Sequence, residues 1–141
     1  MRVFGLDIGE KRVGVAVSDP AGAVATPLCV LATSDVLSNS APFRRILEDW
    51  EPELLICGLP KSLDGSEGPQ ASRIRQVADT ISKSTGLSVV FVDERLSSRE
   101  AKRILREEGY NEKSMRGKVD MIAASLFLQA YLDSQNPVHG S

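Results

Sequence analysis

The order of apolar segments along the chain is the feature that most constrains its fold. Three short apolar runs come first, separated by turn residues, before any helical pattern begins. Two further apolar runs follow, and each is preceded by a segment with helical periodicity. The expected strands are residues 3–7, 13–18, 28–31, 53–58 and 87–92. Three hairpin-joined strands followed by alternating helices and strands predict an α/β fold: a five-stranded mixed sheet with helices on both faces.

Helical spacing of apolar residues predicts where the helices lie. The first helix begins at Pro42, because proline suits a first helical turn, and a second covers residues 71–81. Ser97 and Glu100 form a capping box that starts a third helix. A last helix over residues 119–132 is apolar nearly all round, which indicates burial against the sheet.

Two segments lack such a pattern. Residues 109–118 contain two glycines and no apolar period, and we expect a mobile, cationic loop that grips the substrate. Residues 134–141 are expected to form a flexible C-terminal tail. A chain of 141 residues suits one hydrophobic core, so we expect a single domain over residues 1–133.

Composition excludes several classes of protein. The chain has seven aromatic residues (Phe 4, Tyr 2, Trp 1), too few for a base-stacking platform. Its two cysteines, Cys29 and Cys57, lie in expected strands, and its one histidine is His139. Zinc fingers, catalytic histidine dyads and disulfide scaffolds are therefore excluded.

The lengths of the apolar segments and the distribution of charge indicate where the protein is located and what it binds. Charged residues precede any apolar stretch long enough for a signal peptide, and the apolar run at residues 121–132 is too short for a bilayer. We therefore expect a cytoplasmic protein without a membrane partner. The net charge is −2, yet residues 95–118 hold eight Lys or Arg against four Glu, which favours local binding of polyanions.

Acidic residues occupy positions where an apolar residue would be expected. Asp7 ends the first strand, Asp93 and Glu94 close the fifth, and Asp120 lies in the first turn of the apolar helix. Taken singly, such acids cap turns or interact with a helix N-terminus. Successive strand residues point to opposite faces, so only one of Asp93 and Glu94 can share a site with Asp7.

Together these acids predict a metal site, because the first and fifth strands end towards the same edge of the sheet. Carboxylates without histidine or cysteine favour Mg²⁺ or Mn²⁺. Two such ions would activate a water and stabilise the leaving oxygen of a phosphodiester.

Four blocks of sequence carry a family resemblance. They are residues 3–9 (VFGLDIG) with 12–16 (RVGVA), 58–60 (GLP) with 64–65 (DG), 93–98 (DERLSS), and 118–120 (KVD) with 123–124 (AA). In order and spacing they resemble the signature blocks of the YqgF/RuvX family, described as Holliday-junction-resolvase-like or as pre-16S ribosomal RNA nucleases. The resemblance extends from residue 1 to about residue 132.

This resemblance implies an RNase H-like fold with strand order 3-2-1-4-5 and a divalent-metal-dependent endonuclease acting on structured nucleic acid. The substrate it implies first is the 5′ end of pre-16S ribosomal RNA. Carried over by position, Asp7, Glu94 and Asp120 would be the catalytic, metal-binding carboxylates, with Mg²⁺ or Mn²⁺ as cofactor. Related resolvases place their second acid at the end of strand four, where this chain has Gly58. We infer that this glycine clears space for a longer reach by Glu94, and we prefer Glu94 to Asp93.

Basic residues near these acids are candidate substrate contacts. Lys118 would offset carboxylate repulsion or grip the scissile phosphate, unless it is simply a solvated loop residue. Arg95 would hold a phosphate in a bidentate way or pair with a neighbouring acid. Lys61 lies in a loop expected at the same sheet edge, and Arg99 lies on an exposed helix face. If several basic residues of that helix touch phosphates, affinity should fall steeply with salt; they are Arg99, Lys102, Arg103 and Arg106.

Other functions remain open. A Holliday junction resolvase would act on four-way DNA as a homodimer with two sites, and the residues do not choose between RNA and DNA. A sugar-kinase or actin-like phosphate loop at residues 7–9 would be of another class, but Glu10 stands where those proteins usually have a small hydroxyl residue. A non-catalytic nucleic-acid-binding module is the third alternative.

Overall fold

A single mixed sheet organises the chain. The computed structural model describes residues 1–61, 64–94, 97–115 and 117–135, with the backbone alone for residues 97 and 98. The strands are β1 (Val3–Ile8), β2 (Arg12–Ser18), β3 (Ala25–Ala32), β4 (Leu54–Leu59) and β5 (Ser88–Asp93). The helices in these ranges are α1 (Thr33–Leu37), α2 (Ala41–Trp50), α3 (Pro69–Thr85), α4 (Ser97–Glu107), α5 (Glu112–Met115) and α6 (Lys118–Gln135).

The strand order is β3-β2-β1-β4-β5, which confirms the expected mixed sheet. β1 pairs antiparallel with β2, and β2 with β3, because short turns join them. β1, β4 and β5 run parallel, because helices cross over between them. The carboxyl ends of β1, β4 and β5 therefore lie at one edge of the sheet.

Alternating side chains divide the core between the two faces of the sheet. Phe4, Leu6 and Ile8 of β1 pack with α2 and α3 on one face. Val3 packs on the other face with apolar residues of α6, and Leu128 is fully buried there. Helices thus cover both faces, as expected, which explains why β4 is a continuous apolar run. The thiols of Cys29 and Cys57 are free and belong to the first of these clusters.

Helix α6 lies directly on glycines of the sheet. A Cβ added at Gly14 would lie 2.1 Å from the carbonyl carbon of Asp120, and one added at Gly5 would lie 3.0 Å from Ala124 O. Side chains at these two positions would lift the helix. The glycines therefore place the first turn of α6 over β2, next to the end of β1.

The expected loop over residues 109–118 is wrong in its middle, where α5 forms. Asn111 and Ser114 exchange hydrogen bonds: each backbone N–H donates to the other's side-chain oxygen at 2.9 Å. Met115 is 2% exposed and anchors this turn against the core. Side-chain capping and one buried residue replace the missing apolar period.

Two further elements differ from the sequence-based expectation. α1 has no long apolar period to predict it, yet Val36 is fully buried. α6 begins at Lys118 and continues to Gln135, so the first two residues of the expected tail are helical. Residues 136–141 lie outside the described residues, and the single-domain expectation stays a prediction. Across the described ranges, no helix has the length and apolar character that a membrane span requires.

Candidate active site

Asp7 and Glu94 lie side by side at the carboxyl edge of the sheet. Asp7 is near the end of β1, and Glu94 directly follows β5, where its N–H donates to Leu59 O at 3.2 Å. The side chains of Asp7 and Glu94 lie close enough for each to shift the pKa of the other. Two carboxylates this close repel each other when both are ionised, which favours the protonated form of one of them in the metal-free protein.

Gly58 provides the space in which Glu94 lies. A Cβ at residue 58 would lie 2.8 Å from Glu94 Oε2 and 2.8 Å from Phe127 Cε2. β4 separates β1 from β5, so a larger residue at its end would stand between Asp7 and Glu94. The clearance expected at Gly58 is present.

Asp93 and Glu94 differ in their surroundings. Asp93 is exposed at the end of β5, whereas Glu94 is half-buried beside Asp7. This difference agrees with the opposite directions expected of successive strand residues. Of the two acids, Glu94 is the one that meets Asp7.

Asp120 approaches the pair from α6. Its backbone lies on Gly14, and Gly14 is the cross-strand partner of Asp7 in the β1–β2 register. The Asp120 carboxylate raises the pKa of both Asp7 and Glu94 through charge repulsion. Asp120 therefore belongs to the same electrostatic cluster, although α6 brings it in from above the sheet.

Burial and mutual repulsion shift the pKa values of all three acids upward. Burial is the largest cause at Asp7, followed by Glu94 and Asp120, and together they raise its pKa to about 8. Burial also raises the pKa of Glu94, while the hydrogen bond from Asp7 opposes that shift. At Asp120 burial raises the pKa, and the nearby Arg12 guanidinium opposes it. Clusters of acids whose pKa values are raised by burial and repulsion are typical of functional sites.

The donors fit a hard divalent cation better than zinc. Carboxylate oxygens are the ligands of Mg²⁺ and Mn²⁺. The thiol of Cys57 lies close by, but burial raises its pKa to about 12, so it stays protonated. As the described side chains stand, no three Asp, Glu, Cys or His residues are close enough together to hold one ion. The structure thus forms the Asp7–Glu94 pair, and Asp120 stands further from it.

The predicted substrate contacts have varied surroundings. Lys118 precedes Asp120 by two residues, and its ammonium group lies 5.4 Å from the centre of the Tyr110 ring. Lys61 is half-buried two residues after β4. The hydrogen bond from Arg75 is the main cause that lowers the pKa of Glu67, and the charge of Lys61 adds to it. Arg99 is exposed on α4. Arg95 lies outside the described residues.

Acidic neighbours neutralise part of the cationic face of α4. Arg103 forms ion pairs with Glu100 and with Glu107, and Arg106 pairs with Glu112 at 3.0 Å. The excess of basic residues in this segment therefore overstates the positive charge that it offers to a ligand.

The turn between β1 and β2 is a part of the site that was not predicted from the sequence. Gly9, Glu10, Lys11 and Arg12 border a pocket of about 290 Å³ together with Asp120. The signal was present in the sequence, since two basic residues follow Asp7 within a tight hairpin.

Comparison with known proteins identifies the relatives of this chain. The model of the family "RuvX: Holliday junction resolvase" matches residues 1–134. A "Putative pre-16S rRNA nuclease" of Halothermothrix orenii is 40% identical over 140 residues, covering 99% of this chain and 100% of that protein. A protein of Anaeromyxobacter sp. with the same description is 39% identical over 136 residues, covering 96% of this chain and 99% of that protein.

Solved structures share the fold at low sequence identity. RuvC of T. thermophilus, in complex with a Holliday junction substrate, superposes with a TM-score of 0.57 at 13% identity, covering 96% of this chain and 95% of that chain. The Fowlpox virus resolvase, in complex with Holliday junction DNA, has a TM-score of 0.54 at 16% identity, covering 96% and 99%. These similarities confirm the RNase H-like fold. By family model, relatives and fold together, the chain belongs to the RuvX family and is a hydrolase that acts on phosphodiester bonds.

Proposed function

We propose that this chain is a divalent-metal-dependent endonuclease acting on structured nucleic acid, with the 5′ end of pre-16S ribosomal RNA as its substrate. The observation that carries the proposal is the Asp7–Glu94 carboxyl pair, which lies beside Gly58, with the charge of Asp120 acting on it from α6. Paired acids with raised pKa values, far apart in the sequence, serve no evident packing purpose. A nuclease that uses divalent cations needs such a group of carboxylates to hold them.

In this proposal Asp7, Glu94 and Asp120 are the catalytic residues and the oxygen ligands of Mg²⁺ or Mn²⁺. When bound, the ions supply Lewis-acid stabilisation of the scissile phosphate and a water of lowered pKa. Asp7 and Glu94 provide two carboxylates that lie close together as possible metal ligands. The lack of a side chain at Gly58 leaves the space that Glu94 occupies. The surrounding apolar residues exclude bulk water, which strengthens the attraction between the carboxylates and a cation.

The basic residues Lys61, Arg95, Arg99 and Lys118 are the proposed substrate contacts. The substrate is a polyanion and the catalytic site is acidic, so cations around the site must offset the repulsion. Lys118 is the best supported, because it lies in the same helical turn as Asp120.

Ribosomal RNA is favoured by the descriptions of the relatives, which name pre-16S rRNA. It implies a cytoplasmic location, where ribosomes are assembled. Cleavage of four-way DNA junctions is the second candidate, favoured by two similar structures that hold Holliday junction DNA. Symmetric cleavage of a junction would require a homodimer.

The test is cleavage by the full chain of two labelled substrates, an RNA that spans the 5′ end of 16S rRNA and a four-way DNA junction. Each is incubated with Mg²⁺, with Mn²⁺ or with EDTA. Asp7→Asn and Glu94→Gln should lower the cleavage rate more than about 100-fold. Replacing a residue that only hydrogen-bonds to a metal ligand already costs about 10–100-fold in metal affinity or activity, and a ligand itself should matter more. Asp93→Asn is the matched control, since it alters an exposed acid next to Glu94.

Cleavage of RNA alone would support the ribosomal substrate, and cleavage of the junction by a dimer would support the alternative. Equal cleavage by the wild type and Asp7→Asn would contradict the proposed active site. Metal-independent binding without any cleavage would favour a non-catalytic module.

A further inference from the structure

The turn that joins β1 to β2 is rigidly held beside the catalytic acids. Gly9 N–H donates to Arg12 O at 2.8 Å, which closes the turn. The buried residue Thr33, at the start of α1, donates two hydrogen bonds to the backbone of the turn. Its N–H donates to Lys11 O at 2.9 Å, and its hydroxyl donates to Gly9 O at 2.8 Å. The backbone that carries the side chains of residues 10–12 is therefore fixed before any ligand binds.

These side chains border one open pocket with Asp120. The pocket has a volume of about 290 Å³ and is lined by Gly9, Glu10, Lys11, Arg12 and Asp120. Arg12 is exposed and close enough to Asp120 to act on its charge. The turn carries two cations against one acid, Glu10, so its own charge is positive.

A polyanion needs cations at this place. The acids Asp7, Glu94 and Asp120 repel a nucleic-acid backbone, and the repulsion is strongest where these groups are partly buried. On α4, Arg103 and Arg106 are paired with glutamates. The β1–β2 turn is different, because its Arg and Lys line the pocket that Asp120 also lines.

We propose that the β1–β2 turn is a phosphate grip for the nucleic-acid substrate. Arg12 binds the non-bridging oxygens of a phosphate next to the scissile bond, since its planar guanidinium suits two parallel hydrogen bonds. Lys11 provides a second, less directional contact, and Thr33 is a positioning residue that holds the turn. This inference rests on the proposed function, because nucleic acid is its ligand.

The test measures binding without cleavage. Asp7→Asn protein, in EDTA, is titrated against a labelled RNA hairpin and a labelled four-way DNA junction over a series of salt concentrations. Adding Arg12→Gln should weaken binding about tenfold at low salt, which corresponds to one charged contact. The slope of log affinity against log salt should fall by about one. Arg12→Lys keeps the charge and should lose only part of the affinity.

The matched control is Arg44→Gln, which removes an equally exposed arginine from α2, on the other face of the sheet. It should leave affinity and salt slope unchanged. Thermal melts show whether the Arg12 variants remain folded. If Arg12→Gln behaves like Arg44→Gln, Arg12 is only a counter-ion of Asp120 and the phosphate grip is wrong.

Thr33 provides a second test. Thr33→Val removes the hydroxyl that donates to Gly9 O and should weaken the binding of nucleic acid. Thr33→Ser keeps the hydroxyl and should bind nucleic acid as tightly as the parent protein. Equal affinity for both variants and the parent would exclude the positioning role.

The binding tests separate this inference from the proposed function. Arg12-dependent binding by a chain that cleaves neither substrate would support the grip and overturn the endonuclease. Cleavage by the wild type with Arg12-independent binding would overturn the grip and leave the endonuclease standing.

Discussion

Glu94 occupies space that exists because residue 58 is glycine. A Cβ at that position would lie 2.8 Å from Glu94 Oε2 and 2.9 Å from Glu94 Cβ. These separations are shorter than real Cβ contacts, so either Glu94 or Phe127 would have to move. The contact between Asp7 and Glu94 thus depends on a missing side chain on the strand between them.

Gly58→Ala should therefore impair the site more than the fold. We expect cleavage and Mn²⁺ affinity to fall at least about tenfold, with a stability loss of about 1–3 kcal/mol from overpacking. Cleavage assays, metal titration and thermal melts measure the three effects. Gly68→Ala is the control, because nothing lies within 4 Å of an added Cβ there. Unchanged metal affinity in Gly58→Ala would show that Glu94 does not depend on this clearance.

Asp7 should make the metal-free protein less stable as the pH rises. Its pKa is raised from 3.8 to about 8 in the folded state, so the folded protein holds a proton that the unfolded chain has lost. Between pH 4 and pH 8 stability therefore falls with rising pH. Asp7→Asn should raise the free energy of unfolding at pH 8 by at least about 1 kcal/mol, measured by denaturant titration in EDTA.

Asp19 is the matched control of opposite sign. Its carboxylate accepts hydrogen bonds from the N–H groups of Ala23 and Val24, which lower its pKa. The ionised Asp19 carboxylate stabilises the folded protein above pH 4, and this contribution is lost as the pH falls and the carboxylate takes up a proton. Asp19→Asn should therefore destabilise the protein at pH 8. If Asp7→Asn also destabilised the metal-free protein, the unfavourable burial and repulsion assigned to the Asp7 carboxylate would be absent.

Gly14→Ala should be among the most damaging changes to the fold. An added Cβ would lie 2.1 Å from the carbonyl carbon of Asp120, and a helix backbone has little freedom to yield. We expect a loss of more than about 3 kcal/mol, measured by thermal or denaturant unfolding. Gly5→Ala, whose added Cβ would lie 3.0 Å from Ala124 O, should cost less. Wild-type stability of Gly14→Ala would mean that α6 does not rest on this glycine.

Arg99 and Arg106 should differ in their effects on nucleic-acid binding. Arg99 is exposed on α4, whereas Arg106 is paired with Glu112 at 3.0 Å. Arg99→Gln should lower the salt slope by about one, and Arg106→Gln should change it less, because Glu112 already offsets the Arg106 charge. Fluorescence anisotropy over a salt series measures both slopes. A wild-type salt slope in Arg99→Gln would remove Arg99 from the substrate contacts.

Local patterns were sufficient for the framework of this protein. Apolar runs and helical periods predicted the five strands and the main helices, because side chains alternate along a strand and recur every 3.6 residues along a helix. The acids at the ends of β1 and β5 were predicted to lie at the same edge of the sheet, because the carboxyl ends of parallel strands meet there. The β3-β2-β1-β4-β5 order came from the family resemblance rather than from any pattern.

Contacts between distant segments depended on packing in three dimensions. The approach of Glu94 to Asp7 depends on the space left at Gly58. The position of Arg12 beside Asp120 follows from how α6 rests on Gly14 and how Thr33 holds the first turn. α5 also escaped prediction, because one buried methionine and one capping exchange leave no periodic signal. Residue type and spacing are local properties, whereas the distance between two carboxylates is set by every segment packed between and above them.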